Sequence, residues 1–326
     1  MQNQPLTLDL LPQAVDLWNR TLGDLFPMRP ELMASNLWNE PSFDPEGSRA
    51  ILAGGRMVAL VAVKRRQHPM HTLPADQQGW ISALVVDPAF QGKGVGSALL
   101  RDALTHLGRY AAEPVALGSD PGHFFPGIPL DCRRALDWFA RRGAQLGALE
   151  CDLANTEMAT YEHPEAARRA FAREPGIIYR PMAPGEEEAA LAFMRRAFPG
   201  RWAWELERHL AGGGLREDVM LALENSAIVG FARIAGPWSR HFSPGIYWAP
   251  RFQGPHGSLG PIGVAPEARG RGIGLALLSA SLAELRDRGV RSAVIDWTQL
   301  VRFYGIAGFR PWMWYVRATM PAGGGG

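Results

Sequence analysis

Cysteine is scarce in this chain: Cys132 and Cys151 are the only two in 326 residues, too few for a disulfide framework. Both are expected to be reduced thiols. Long apolar runs are missing as well. No stretch of 18 residues qualifies as a membrane-spanning helix, and residues 1–10 lack the basic-then-apolar layout of a secretion signal. The expectation is a cytoplasmic protein with no membrane partner. Nor is there an excess of one charge. The 34 Lys+Arg and 32 Asp+Glu leave +2, which gives no support to a role on nucleic acid. No Cys or Ser sits in a recognisably activated setting, and no metal is called for. The chain is also too long for one hydrophobic core, so two domains of about 150 residues are expected.

What is present is one loop written twice. Residues 85–100 read VVDPAFQGKGVGSALL and residues 263–278 read GVAPEARGRGIGLALL, with Pro88 answering Pro266. Each copy runs from an apolar strand-like segment through a Pro turn into Gln/Arg-x-x-Gly-x-Gly and then into an apolar helix. Repetition in register is much stronger evidence than a single glycine-rich loop.

Hydrophobic periodicity and turn residues extend the repeat outward. The first half reads as an extended segment at 6–10, helices at 15–25 and 31–38, and a hairpin of 49–53 and 57–64 around Gly54 and Gly55. A polar loop at 67–79 leads to a strand at 80–86, a helix to about 107, a strand at 115–117, a helix at 133–142 and a strand at 146–153. The second half repeats the order: strand 176–180, helices 186–198 and 202–210, strands 219–223 and 228–234, and a long loop at 236–257. It ends with strand 259–264, helix 273–288, strand 292–295, helix 301–307 and strand 309–317. Boundaries at 1–155 for the first lobe, 156–175 for a linker with one helix, 176–320 for the second lobe and 321–326 for a flexible tail follow. Hairpins imply antiparallel pairing and strand–helix–strand units parallel pairing. The fold class is therefore α/β (α+β), each lobe a mixed, mostly antiparallel sheet flanked by helices.

This order of elements, with Val-x-Pro and the glycine loop at the fourth strand, resembles the GNAT acetyltransferase superfamily. The resemblance is most specific at 86–97, at 264–275 and at Phe-Tyr-Gly-Ile-Ala-Gly-Phe over 303–309. It implies a tandem arrangement like that of the mycothiol synthases. Physical chemistry supports the loop assignment independently. A helix N-terminus offers free N–H groups and partial positive charge, and glycines let the backbone approach a phosphate. The resemblance makes these loops acetyl-CoA pyrophosphate sites, formed by Gln91, Gly92, Lys93, Gly94, Val95, Gly96 and Ser97, and by Arg269, Gly270, Arg271, Gly272, Ile273, Gly274 and Leu275. A tight helix–strand contact is the alternative reading of the same glycines. The dinucleotide fingerprint fits less well, because three strands precede each loop.

By the same resemblance the fourth strand bulges and splays from the fifth. Backbone at Leu84 and Val86, and at Ile262 and Val264, would then hold the pantetheine arm, the Ile262 amide facing the thioester oxygen as it gains charge. Tyr304 sits where the leaving thiolate would be protonated. Aligning Gly143 with Gly308 puts Phe139 opposite Tyr304, so the first lobe is expected to be catalytically impaired. Asp296 is expected to cap the following helix, proton traffic being the other reading. His241 and His256 are expected in the exposed loop, and no general base is legible. Trp238, Phe242, Tyr247, Trp248, Phe252, Trp202 and Trp204, with Arg195, Arg196 and Arg201, form either an aromatic acceptor pocket or a contact between lobes. The loop at 120–129 either covers a vestigial site or makes that same contact.

The expected activity is N-acetyl transfer from acetyl-CoA to a small-molecule primary amine by direct attack in a ternary complex. A non-catalytic acyl-CoA-binding protein and a transferase acting on protein or peptidoglycan amines are the rivals. Two lobes that can pack on each other make a monomer sufficient.

Overall fold

The computed structural model describes residues 1–66, 79–110 and 114–322. The polar loop expected at 67–79 lies outside them except for Gly79, as do residues 323–326. In chain order the elements are β1 (Gln2–Pro5), α1 (Leu11–Leu22), α2 (Pro30–Asn36), β2 (Arg49–Ala53), β3 (Arg56–Arg65), β4 (Gly79–Val86), α3 (Val95–Gly108), β5 (Val115–Leu117), β6 (Ile128–Pro129), α4 (Arg133–Ala140) and β7 (Gln145–Asn155). They continue with α5 (Glu165–Arg173), β8 (Ile177–Pro181), α6 (Glu187–Ala197), α7 (Arg201–Ala211), β9 (Val219–Glu224), β10 (Ala227–Ala235), β11 (His256–Val264), α8 (Ile273–Asp287), β12 (Ser292–Thr298), α9 (Val301–Gly305) and β13 (Arg310–Met320). The first strand falls at 2–5 and not at 6–10, where Leu8–Leu10 form a 3-10 turn instead.

The described residues form two compact units, and these cross the boundaries expected along the chain. One comprises residues up to Glu150 together with those from Met313 onward; the other runs from Cys151 to Trp312. The first unit orders its strands β1-β2-β3-β4-β5-β13, with β6 also paired to β13. Thr319 and Met320 pair with Ala116 and Val115, so the last strand of the chain completes the first unit. The second unit is ordered β7-β12-β11-β10-β9-β8, where Ala293 to Ile295 of β12 pair with Asn155 to Leu153 of β7. Periodicity marks a segment as a strand and says which face is apolar, but it does not choose the neighbour.

In the first unit α1 and α3 pack on β3 and β4. Helix α1 opens with Pro12 in its first turn and buries Ala14, Leu17 and Trp18, an i, i+3, i+4 stripe. The loop at 120–129 belongs to this core. Phe124 and Phe125 lie 4.9 and 5.8 Å from Trp18, and Phe125 lies 4.6 Å from Phe26. A buried ion pair anchors the loop start: Lys64 Nζ meets Asp120 Oδ2, both side chains at 0% exposure, and also donates to the carbonyls of Pro121 and Gly122 at 2.7 and 3.0 Å.

The segment at 156–175, expected as a linker, is part of the second core. Its Met158, Tyr161, Ala167 and Ala170 are buried, α5 packs on α8, and the Tyr161 and Ser279 hydroxyls bond at 2.8 Å. Its Ala-, Arg- and Glu-rich composition hid a short apolar stripe on one helix face. Both cysteines are free thiols, as expected.

Candidate active site

Both glycine loops have the backbone that an anion cradle requires. Gly92 and Gly94 have φ of +73° and +81°, and Gly270 and Gly272 have +78° and +93°; Gly94 and Gly272 are the N-caps of α3 and α8. An L-residue held there costs about 1–2 kcal/mol. A Cβ on Gly92, Gly94 or Gly270 would meet no protein atom within 4 Å, so these glycines face free space. Gly96 and Gly274 serve the other reading of the motif. A Cβ there would lie 3.4 Å from Val86 Cγ2 and 3.5 Å from Val264 Cγ2 respectively, so they let the helix approach the strand. The amides of the first helical turns, at Val95, Gly96 and Ser97 and at Ile273 and Gly274, have no acceptor four residues back. Leu275 N already donates to Gly272 O at 3.1 Å.

Side chains brace the loops. Gln91 Nε2 donates to Val86 O at 3.0 Å, and Arg269 Nε donates to Val264 O at 3.1 Å, the same bond in both copies. Arg271 donates to Glu174 Oε2 at 2.6 Å and to Glu224 Oε1 at 2.7 Å. Its guanidinium is thus a strut from the loop to the ends of α5 and β9, its charge met locally. Lys93 lies 5.2 Å from the Phe90 ring centroid. Ser97 Oγ accepts from Arg142, whose guanidinium stacks 3.9 Å over Trp138. Any anion held at these loops would be met mainly by backbone. Replacing Gly270 by Val, which adds both bulk and left-handed strain, should weaken acetyl-CoA binding by at least about tenfold in a calorimetric titration. Unchanged affinity would reduce that loop to scaffold.

The strands part where the resemblance placed the splay. In the second unit β11 pairs with β12 only at 256–258, and residues 259–264 have no ladder partner on that side. Its register with β10 shifts between the pairs Ala232–Ile262 and Ile234–Leu259, which sets Gly260 and Pro261 in a bulge. Val264 lies beyond it, opposite Gly230. In the first unit β4 and β5 pair only at Trp80–Ala116 and Ile81–Leu117. Ser82 bulges from the β3 register, and Leu84 and Val86 follow it opposite Val61 and Ala59.

Tyr304 lies on α9, buried at 6% exposure, and its hydroxyl makes no hydrogen bond among the described residues. Burial, reinforced by the nearby Asp296 charge, holds the phenol well above its ordinary pKa. Phe139 is its structural equivalent: Phe309 N bonds to Tyr304 O as Ala144 N bonds to Phe139 O. Asp296 does not cap α9, whose N-cap Leu300 has no side-chain cap bond. It is half-buried between the parting strands, where a Cβ on Gly260 would stand 3.5 Å from its Oδ1. Trp297 follows with φ +45°, its amide donating to Asp152 Oδ1 at 2.9 Å and its ring lying 4.9 Å under Arg201. The pairings Trp80–Ala116 and Ser258–Val294 make Gly118 the counterpart of Asp296 and Ser119, at φ +58°, that of Trp297. Ser82 stands in the place of Gly260 and donates to Asp120 at 2.8 Å. The first unit thus fills its splay with the Ser82–Asp120–Lys64 cluster and has neither Tyr nor Asp at the matching positions.

The remaining expected residues scatter. His256 is not in the loop: it is buried on β11, bonded to Ser292 Oγ at 2.8 Å and Gly245 O at 2.9 Å and stacked on Phe252. His241 is bonded to Gly212 O at 3.0 Å. Trp238 donates to Asp218 at 2.8 Å, Tyr247 and Trp248 are buried, and Phe252 reaches Trp312 within the same unit. Trp202 packs on Phe198 and Phe231. Arg201, whose Nε donates to Glu205 at 2.6 Å, and Arg233 on β10 are the cations beside Asp296. Arg233 escaped sequence reasoning because it reads as an ordinary strand residue; its place opposite the bulge is the only signal.

Duplicated strand–loop–helix cradles above a splayed pair of strands define an acyltransferase, and the chain belongs to the acetyltransferase (GNAT) family, which matches it at residues 11–123 and again at 181–309. It is similar to the mycothiol acetyltransferase of Thermobispora bispora, 32% identical over 70% of this chain and 72% of that protein. Among solved structures it is similar to the GCN5-related glucosamine N-acetyltransferase region of a fungal multi-domain GH3 β-N-acetylglucosaminidase, with TM-score 0.87 and 26% identity. That match takes in 98% of this chain but only 38% of the fungal protein. A tandem GNAT protein from the clavulanic acid biosynthesis pathway, at 16% identity and TM-score 0.66 over 100% and 99% of the two chains, shares the fold. No helix among the described residues is long and apolar enough to cross a membrane, and these residues hold no cluster of three metal-ligating side chains.

Proposed function

We propose that the second unit transfers an acetyl group from acetyl-CoA to the primary amine of a small molecule, by direct attack within a ternary complex, and that the acceptor is an amino sugar or a glycoside carrying one. The observation that carries this is the asymmetry between the units. Only the second combines an open cradle at Gly270, unpaired β11 backbone beyond Ser258 and a tyrosine at the equivalent position. The free space before Gly270 fits a pyrophosphate held by the amides of 270–274. Backbone at Ile262 and Val264 would position the pantetheine and polarise the thioester carbonyl, and Tyr304 would protonate the departing sulfur. A small-molecule acceptor is supported by the mycothiol acetyltransferases, and an amino sugar by the fungal glucosamine N-acetyltransferase region.

The test is incubation with acetyl-CoA and a panel of glucosamine, simple alkyl amines and peptide amines, following free thiol and acetylated product by mass spectrometry. Preferential acetylation of glucosamine is expected. Acetyl-CoA binding with no amine acetylated would establish the non-catalytic reading, and preference for peptides would establish the protein-amine reading.

A further inference from the structure

We propose that Asp296 accepts the proton of the attacking amine in the second unit. The assignment rests on the acetyl-transfer reading and adds to it the group that activates the nucleophile. Three features of the fold converge on this carboxylate. It occupies the part of β12 from which β11 has already separated, so it borders the gap where amine and thioester would meet. Facing it is the bulge at Gly260, where the lack of a side chain leaves room beside Oδ1. Immediately after it, Trp297 is held in a left-handed conformation by Asp152 and Arg201, a local strain of the kind that persists where surrounding structure fixes a side chain's direction.

The charged and titratable groups around Asp296 lie near its carboxylate without bonding it. Arg201 and Glu205 face it from α7, Arg233 from β10 and Tyr304 from α9; Gly260 of β11 lies beside Oδ1, and on the paired strand β7 Asp152 accepts from the Trp297 amide. Arg201 gives its Nε to Glu205, and Arg233 gives Nη2 to His209 at 3.2 Å. Among the described residues no other residue forms an ion pair or hydrogen bond with the Asp296 carboxylate. A half-buried carboxylate without a partner is a cost to the fold, and such groups concentrate at sites of proton transfer. Loss of water raises its pKa from 3.8 to about 6 against the pull of Arg201, with Glu205 pushing the same way as burial. The group is then largely ionised at pH 7, yet more basic than an ordinary carboxylate.

The step balances. The acceptor ammonium gives one proton to Asp296 and becomes a neutral amine. Its nitrogen lone pair forms the C–N bond as the C–S bond breaks, the electron pair remaining on sulfur. The Tyr304 hydroxyl gives its proton to sulfur, and the second proton leaving nitrogen returns to the tyrosinate. Asp296 then releases its proton to water, so one proton is produced for each acetyl group moved. The first unit has Gly118 at this position and cannot perform the step.

The experiment measures thiol release from acetyl-CoA with glucosamine between pH 5 and 9 for the full chain. Wild type is expected to show an ascending limb in kcat/KM with an apparent pKa near 6. Asp296→Asn is expected to lose that limb and fall about a hundredfold or more, with acetyl-CoA affinity unchanged, and Asp296→Glu to recover part of the rate. Because ionisation of this carboxyl is penalised by folding, the Asn variant should melt at or above the wild-type temperature at pH 7. A merely structural aspartate would instead lower the melting temperature and leave the limb in place. An Asn variant within about threefold of wild type, or a wild-type profile without the limb, overturns the assignment. Absence of transfer by wild type overturns the acetyl-transfer reading itself, whereas transfer indifferent to Asp296 overturns this assignment alone.

Discussion

Replacing Tyr304 by Phe is expected to lower kcat for acetyl transfer by about a hundredfold to ten-thousandfold while leaving the affinity for acetyl-CoA unchanged. The ring fills its place on α9, so the substitution removes one oxygen and little packing. In the proposed mechanism, what is lost is the proton for the leaving sulfur. Burial and the Asp296 charge keep that phenol protonated across the neutral range, so the donor is available at every pH where the amine side of the reaction works. Steady-state kinetics paired with a binding titration separates the effects: kcat should fall without a rise in the dissociation constant. An unchanged kcat would remove Tyr304 from the chemistry. The converse change, Phe139→Tyr, should not confer transfer on the first unit, because Gly118 supplies no carboxylate and Ser82, Asp120 and Lys64 fill the corresponding splay.

Replacing Asp120 by Ala is expected to destabilise the first unit by about 3–5 kcal/mol. Lys64 is fully buried, with Asp120 as its anionic partner and two loop carbonyls as its other acceptors. Removing the carboxylate leaves an ammonium in a site with no access to water. It also frees the loop that carries Phe124 and Phe125 onto Trp18. Urea denaturation followed by tryptophan fluorescence should show an earlier transition from the unit containing Trp18 and Trp80. The double change Lys64→Met with Asp120→Leu should regain much of the loss, since a matched apolar pair avoids desolvating either charge. A single Asp120→Ala variant within about 1 kcal/mol of wild type would mean that water reaches Lys64.

Most strands and helices were legible because their causes are local. Gly54 and Gly55 permit the tight hairpin turn, Gly143 and Gly308 stop their helices in left-handed conformations, and apolar spacing marks which faces are buried. The helix at 165–173 is legible in sequence, but its membership of a core is not, since Ala167 and Ala170 are too small to dominate a polar composition. The place of His256 is hidden for a similar reason: the Pro- and Gly-rich stretch before it conceals the start of β11, whose first residue it is.

By itself, the sequence determined the duplication, the two glycine-rich loops and the contrast of Tyr304 with Phe139. Each of these is written in neighbouring residues whose backbone preferences or side-chain chemistry act over one turn or one strand. Only the tertiary structure decided that the final strand completes the first unit, that Arg271 is spent on Glu174 and Glu224, that Lys64 and Asp120 fill one splay, and that Asp296 lies without a partner in the other. Those outcomes depend on which distant groups share a space and how much water is left there. Desolvation and charge pairing are properties of that space, and no short window of sequence contains them.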